Sequence, residues 1–564
     1  MKKQCKPLVF IIIAMITIFN LLCYFAIRSM WSGIIRYTLE PMPYILLGTL
    51  TATALISMIC VLNKCYPFIL SIWAGILNLL FLGLDAYIIS LTTEATHYFI
   101  REFLYGALFL GSIALILFLW TTIPKLRFFQ QKWIPSMLMC LLFVVGSLSL
   151  FDITLFNRID CTPVVYAVED TYQIVFTTRS KGTAWIEIDG VEFNDTYSGY
   201  RETENTVHKI IVPMETLDNA KEYTVYAKSM LLRGPYCALQ GKTIQQTYHW
   251  KGVTPEDGLN YYVLADTHNT RKTPYDAATY FGNSLDFLIS CGDNVSWIDR
   301  QADLEEMLLL AGRITKGQVP VIYARGNHET KGVLAHEFNQ YVGSDGDNYY
   351  YTFRIKNIWG IVLDIGEDHA DTFVEYYGAA KFDAYRDEQT IFLDEVLANS
   401  ETEYDAPGVD YRIAVCHIPL TIKYKNDHAG AHKEEWLERL NQMKLTILYS
   451  GHVHELWYID PTFEDGATLK KSPEYRDGVT DNSVRIMTNA TFPGILVSRR
   501  ADGQLLSADE KVFDTGFIGL AVTSDGNTTT MKYTNEHKEV LDNIVSPWFS
   551  GLEYGNEITI ENIK

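Results

Sequence analysis

The sequence predicts a multi-domain chain in which three classes follow one another: all-α apolar helices, an all-β segment, and an α/β domain. Three observations carry this. Apolar runs of bilayer length recur five times before residue 155. From Cys161 to Gln246 the apolar residues alternate with period two, and from Gly258 onward short apolar runs alternate with amphipathic helical stretches.

The five apolar runs are roughly 8–27, 44–62, 67–91, 103–123 and 134–151. Each is near the roughly 20 residues that cross a bilayer as a helix, so residues 1–155 are expected to be a membrane domain of five transmembrane helices with the lipid bilayer as partner. The first run is too long for the apolar part of a signal peptide, and no small-residue cleavage site follows Ile27, so it is read as retained. Lys2, Lys3, Lys6, Lys64, Lys125, Arg127 and Lys132 fall on one side of these runs, and Arg28, Arg36 and Arg101 on the other. The bias of Lys and Arg toward the cytoplasm then places the N-terminus inside and everything beyond about residue 155 outside, in a multi-pass protein of the cell membrane. Asp85 is read as lying near a helix end. No paired ionisable groups suggest transport, so the helices are read as an anchor.

Charge divides the chain in the same place. Residues 1–157 hold ten Lys or Arg and five Asp or Glu, whereas the whole chain carries a net charge of −20. So acidic a remainder argues against nucleic acid as a partner. A phosphate-bearing substrate would need local positive charge there, such as metal ions. Of the nine cysteines, only Cys161, Cys237, Cys291 and Cys416 lie beyond the apolar part, and none forms a CxxC pair. Cys161 and Cys237 flank the β segment, and are read as two unpaired thiols with a disulfide as the alternative.

The second domain is expected over 156–250. Val164-Val165-Tyr166-Ala167-Val168, Tyr172-Gln173-Ile174-Val175-Phe176, Ala184-Trp185-Ile186-Glu187-Ile188, His208-Lys209-Ile210-Ile211-Val212 and Tyr223-Thr224-Val225-Tyr226-Ala227 read as strands. Asp189-Gly190 and Asp218-Asn219 supply turns. Short strands at this spacing suggest a sandwich. By position and pattern the segment resembles the fibronectin-III-like domain that precedes the catalytic domain of purple acid phosphatases. It is read as a spacer.

The third domain is expected over 258–545, followed by a C-terminal tail at 546–564. Five apolar runs there each end in metal-binding residue types. Tyr261-Tyr262-Val263-Leu264-Ala265 leads into Asp266-Thr267-His268. The run from Leu285 to Cys291 leads into Gly292-Asp293-Asn294. The run from Val319 to Ala324 is followed by Gly326-Asn327-His328-Glu329, and Tyr411 to Cys416 by His417. The last, Leu445 to Tyr449, precedes Ser450-Gly451-His452-Val453-His454. In α/β folds the carboxyl ends of the strands share one edge, where ligands bind. Imidazole and carboxylate without thiolate suit Zn, Mn or Fe. An extended backbone at His452-Val453-His454 would put both imidazoles on one face.

In that order, these motifs resemble the calcineurin-like metallophosphoesterase family. The resemblance implies two packed β-sheets flanked by helices, and two divalent or trivalent metal ions. It implies that Asp266, His268, Asp293 and His454 hold one metal. Asp293, Asn327, His417 and His452 would hold the other, with Asp293 bridging. His328 would lie beside the phosphate as the catalytic residue, stabilising charge or protonating the leaving oxygen. Purple acid phosphatases match only in part. They have Asp-x-Gly and Gly-Asp-x-x-Tyr where this chain has His268 and Ser296, so a tyrosinate–iron site is not expected. Glu329 either orients His328 or begins a helix. His369, in Gly366-Glu367-Asp368-His369, is read as a solvated loop residue, and Asn294 and Arg325 adjoin ligands without an assigned role. The expected function is a membrane-anchored hydrolase of phosphate esters that uses a two-metal-activated water outside the cell. The alternative is a phosphate-ligand receptor signalling through the helices.

Overall fold

Strands form where period-two and fully apolar patterns predicted them, but they assemble differently. The computed structural model describes residues 158–541 apart from 198–199, 234–237, 255–257, 424–426, 455, 462–467, 470–483, 487–489 and 498–515; beyond 541 it describes 544–545, 553–554 and 557–562. The longer strands of the β-rich segment are β1 (Val164–Val168), β2 (Thr171–Ile188), β3 (Val191–Asn194), β4 (Asn205–Pro213), β5 (Glu222–Arg233) and β6 (Ala238–His249). Two of the expected strands are one: β2 runs for 18 residues and changes partner midway. It pairs with β4 from Thr171 to Thr177 and with β5 from Gly182 to Glu187. A Cβ on Gly182 would lie 2.1 Å from the Lys228 carbonyl oxygen, so only glycine lets the strands approach where the partner changes.

The α/β part follows with β7 (Leu259–Leu264), β8 (Phe287–Ser290), β9 (Pro320–Tyr323), β10 (Tyr351–Ile355), β11 (Ile358–Leu363), β12 (Tyr411–Cys416), β13 (Ile447–Ser450), β14 (Trp457–Ile459), β15 (Gly494–Leu496), β16 (Ile518–Ser524), β17 (Thr528–Asn535) and β18 (Ile558–Glu561). Among the described residues, one twelve-stranded sheet has the order β18-β17-β16-β7-β8-β9-β1-β2-β5-β6, with β3 and β4 also paired to β2. A six-stranded sheet has the order β10-β11-β12-β13-β15-β14. Within them β7, β8, β9 and β1 run parallel, as do β11, β12, β13 and β15.

This corrects the expected fold class in two respects. The segment 156–250 does not stand apart as a fibronectin-III-like sandwich. Its first strand lies parallel to β9, with Val165 opposite Pro320 and Tyr166 opposite Val321, so it extends the catalytic sheet. The physical reason is legible in β1 itself. All five of its residues are apolar and buried, and a run buried on both faces belongs inside a sheet covered on both sides. Asp218 reinforces the join. Its carboxylate accepts hydrogen bonds from Tyr172 and Trp250 and an ion pair from Lys356, in the turn between β10 and β11. Within the expected tail, Ile558–Glu561 is an edge strand paired to β17.

The second correction concerns the all-α transmembrane helices. Among the described residues no helix is long and apolar enough to cross a membrane. The 17-residue helix Phe382–Ala398 carries Asp383, Arg386, Asp387, Glu388, Asp394 and Glu395 along its length. The five apolar runs themselves lie outside the described residues. Cys237 lies outside the described residues, and Cys161 is a buried free thiol. Burial pushes its pKa up to about 12, which leaves it uncharged and inert.

Between the two sheets the core is largely apolar, with one buried polar knot. Tyr261 of β7 meets the hydroxyls of Tyr411 and Tyr449, from β12 and β13, at 2.6 Å each. Thr529 of β17 donates to Tyr411. Buried hydroxyls must be paired, so this knot fixes the lateral position of one sheet over the other. Arg325, just after β9, plays a similar part. Its Nε and Nη2 lie 2.8 and 2.7 Å from the buried Asp364 carboxylate, and its guanidinium stacks on Tyr349 with 4.1 Å to the ring centre. Arg325→Ala would leave that carboxylate unpaired, and should cost about 3–5 kcal/mol of unfolding free energy. Urea denaturation would measure it. A loss under about 1 kcal/mol would show that the pair does not hold this layer together.

Candidate metal centre

Strands β7, β8 and β9 of one sheet and β12 and β13 of the other, each parallel to its neighbours within its own sheet, bring their polar ends together. Asp266 and His268 follow β7, Asp293 follows β8, Asn327 and His328 follow β9, His417 follows β12, and His452 and His454 follow β13. The loops are tied to one another by backbone bonds. Asp266 N–H donates to Gly292, His268 N–H to Asp293, and Gly451 N–H to His417.

The backbone there is strained. Asp266, His268, Asp293, His452 and His454 all have left-handed φ, at 53°, 42°, 53°, 73° and 56°. Such conformations cost on the order of 1–3 kcal/mol each and survive where surroundings over-determine them. Glu329 is one such surrounding. Its buried carboxylate accepts N–H bonds from Asp293 (2.9 Å), Asn294 (2.6 Å) and Gly326 (2.9 Å), binding the β8 and β9 loops together. It lies within the short helical turn His328–Thr330, and its side chain serves the backbone rather than His328. Burial, with the Asp293 charge adding to it, raises its pKa to about 7. The loops approach so closely that a Cβ on Gly326 would sit 2.1 Å from Asp293 Oδ1.

Two donor groups result. Asp266, His268 and His454 form one, and Asp293, His417 and His452 the other, with ligand atoms in each within 4.8 Å of one another. In the first, the Nε2 atoms of His268 and His454 face each other at 3.1 Å, and His454 Nε2 lies 3.5 Å from Asp266 Oδ1. In the second, His417 Nε2 lies 3.1 Å from Asp293 Oδ2, and Asn327 Oδ1 lies 3.3 Å from both His417 Nε2 and His452 Nδ1. Asp293 Oδ2 is also 4.0 Å from His268 Nε2, which sets this carboxylate between the groups. The pair His452 and His454 divides between the groups through left-handed turns, not along the extended backbone expected from the sequence.

The donor set fits two cations. Imidazole nitrogens at 3.1 Å, both aimed at one point beside a buried carboxylate, are arranged for a shared positive ion rather than for each other. Burial lowers the His268 pKa to about 4, so its lone pair is available. Burial opposes a charge on His417 too, but the Asp293 carboxylate overrides it and raises the pKa to about 10. Burial likewise opposes the Asp293 charge, yet His417 holds that carboxyl well below its usual range. A proton and a metal compete for this place, so metal uptake there releases the proton.

His328 differs from the ligands. Its ring is about a third exposed, its Nδ1 lies 2.6 Å from the Ser296 carbonyl oxygen, and its backbone N–H donates to Asp293 Oδ1. Its Nε2 points inward, 3.9 Å from Asp293 Oδ2, and with His268 and Asp293 it makes a third grouping of possible donors. The remaining candidates sort themselves by contact. Asn294 is buried and bonded to Ser290 and Thr267, and His369 is half-exposed and stacked on Phe373. Sequence reasoning passed over Glu367 and Asp368. Asp368 Oδ2 lies 3.2 Å from His452 Nε2, and Glu367 Oε2 accepts from Asn327 Nδ2 at 3.1 Å. The available signal was their place after β11, another parallel strand of the same sheet.

Residues 259–456 match the family model of the calcineurin-like phosphoesterases, a stretch that contains every residue of both donor groups. No curated protein matches the chain. Among solved structures it is similar to a purple acid phosphatase from yellow lupin (Lupinus luteus) seeds, at 13% identity and a TM-score of 0.42 over 72% of this chain and 74% of that one. It is similar to PhoD at 10% identity and a TM-score of 0.38, over 72% and 92%. A third is GAP50, the anchor in the inner membrane complex of Plasmodium, at 14% identity and a TM-score of 0.32 over 54% and 89%. The family match falls on the residues that build the two donor groups, and the chain therefore carries a calcineurin-like phosphoesterase domain and is a metal-dependent phosphoesterase.

Proposed function

We propose that the protein hydrolyses phosphate esters by attack of water in line with the leaving oxygen, with His328 as the acid on the leaving side. The convergence of both donor groups on Asp293, with His328 Nε2 directed at the same place, carries this reading. Asp266, His268 and His454 would hold one metal, and Asn327, His417 and His452 the other, with Asp293 shared. Bound there, the cations would lower the pKa of water and offset phosphate charge that an acidic chain otherwise repels. The chain's own residues supply orientation and the proton. The Ser296 carbonyl fixes the Nδ1–H of His328, so the proton on the imidazolium Nε2 points toward the centre. From there it can pass to the departing alkoxide. Metal dependence is the direct test. Purified protein should turn over a chromogenic phosphomonoester or phosphodiester with Mn or Zn, and lose that activity with chelator. Turnover that survives complete metal removal would overturn the mechanism.

The site is further proposed to act outside the cell. Support comes from the sequence of residues 1–157, where Lys and Arg gather on one side of the apolar runs. Protease added to intact cells should then cleave the catalytic domain, and full protection there, lost on lysis, would place it inside.

A further inference from the structure

Two of the donors assigned to the second metal are ambiguous by themselves. Asn327 can present either its oxygen or its NH2, and only the oxygen binds a cation. His452 can present either ring nitrogen. Something must choose, and the choice is made by consecutive residues of the loop after β11.

Glu367 Oε2 accepts from Asn327 Nδ2 at 3.1 Å. With the NH2 engaged there, Oδ1 faces His417 Nε2 and His452 Nδ1, 3.3 Å from each. On the other ligand, Asp368 Oδ2 lies 3.2 Å from His452 Nε2, which places the proton on Nε2 and leaves the Nδ1 lone pair directed inward. The two carboxylates are themselves held. Arg386, with a fully buried side chain, donates from Nη1 to the carbonyls of Ile365 (2.9 Å) and Glu367 (2.8 Å). Glu367 also takes a hydrogen bond from Tyr376 and an ion pair from Lys331 at 3.4 Å. The Asp368 backbone N–H donates to Glu367 Oε1, and its carbonyl accepts from His428 N–H. A loop built this way is rigid at Glu367 and Asp368, although its continuation exposes Val374 and Tyr377 to solvent.

We propose that Glu367 and Asp368 are positioning residues for the second metal, Glu367 fixing the amide of Asn327 and Asp368 fixing the ring of His452 so that the ligating atoms face the centre. The inference rests on the assignment of Asn327 and His452 to that metal. Outer partners of this kind typically change metal affinity 10–100-fold.

The test is metal stoichiometry and affinity by chelator competition on purified protein, using Zn or Mn alone and no substrate. Wild type should hold two metals per chain. Glu367→Ala and Asp368→Ala should each weaken the second by about 10–100-fold and leave the first at wild-type affinity. Glu367→Gln and Asp368→Asn keep an acceptor oxygen, so they should recover most of the loss. Wild-type affinity for both metals in the alanine variants would overturn the proposal. So would equal loss of both metals, or failure of Asp368→Asn to recover, which would make Asp368 a ligand itself. Thermal unfolding of the metal-free proteins identifies variants that do not fold. Should an alanine variant be among them, the folded Gln and Asn forms decide, and loss of the second metal from these overturns it. Fewer than two metals on wild type would instead count against the two-metal assignment and not against the loop.

Discussion

Asp293→Asn should yield a folded protein that binds metal at least 100-fold more weakly, roughly, and loses activity to a similar or greater degree. Outer partners alone are worth about 10–100-fold in affinity, and Asp293 stands between both donor groups. Asparagine is the informative replacement because it tolerates the left-handed φ of 53° that position 293 requires. Its carbonyl oxygen can still accept the His328 N–H that Asp293 Oδ1 takes at 2.9 Å. What disappears is the negative charge between three imidazoles. Metal analysis, with an unfolding midpoint measured without metal, separates the effects. Full metal content in the variant would remove Asp293 from the bridging role.

His328→Ala should do the opposite, leaving metal content intact while slowing turnover by about 10²–10⁴-fold. The loss should depend on the leaving group. An alkyl phosphate expels a basic oxygen that needs a proton, whereas a nitrophenyl phosphate expels a stable phenolate that does not. The alkyl ester should therefore suffer more, by about 10-fold or greater. Equal losses on the two esters would assign His328 to charge stabilisation, and loss of a metal would make it a ligand alongside His268 and Asp293.

How much of this site was legible follows from where each residue gets its meaning. Asp266, Asp293, Asn327, His417 and His452 each follow an apolar run, and parallel strands put such positions at one edge whatever the details of packing. That rule holds for β11 as well, yet Glu367 and Asp368 went unread because their work is done through Asn327 and His452. Glu329 was legible only as a carboxylate of uncertain purpose. Its role depends on the N–H groups of Asp293 and Asn294, more than thirty residues earlier in the chain, arriving within 3 Å. The pairing of His452 and His454 was anticipated, but the left-handed turns that send their rings to different groups were not. Nothing in a dipeptide spacing distinguishes a strand from a strained turn.

The β-rich segment gives the same lesson about domains. Its alternating strands were recognisable, and their count suggested a separate sandwich. The fully apolar β1 was the contrary signal, because a strand with no polar face must be covered on both sides.

By itself, then, the sequence determined the residue types of the two donor groups, the strand ends that carry them and the β-rich character of 158–250, since periodicity and short motifs are local properties. Tertiary structure alone decided that β1 continues the catalytic sheet, that Glu329 ties two loops together, and that Glu367 and Asp368 choose which atoms of Asn327 and His452 face the centre. Those are contacts between segments far apart in the chain, and a hydrogen bond acquires its partner only once the backbone has brought both ends within about 3 Å.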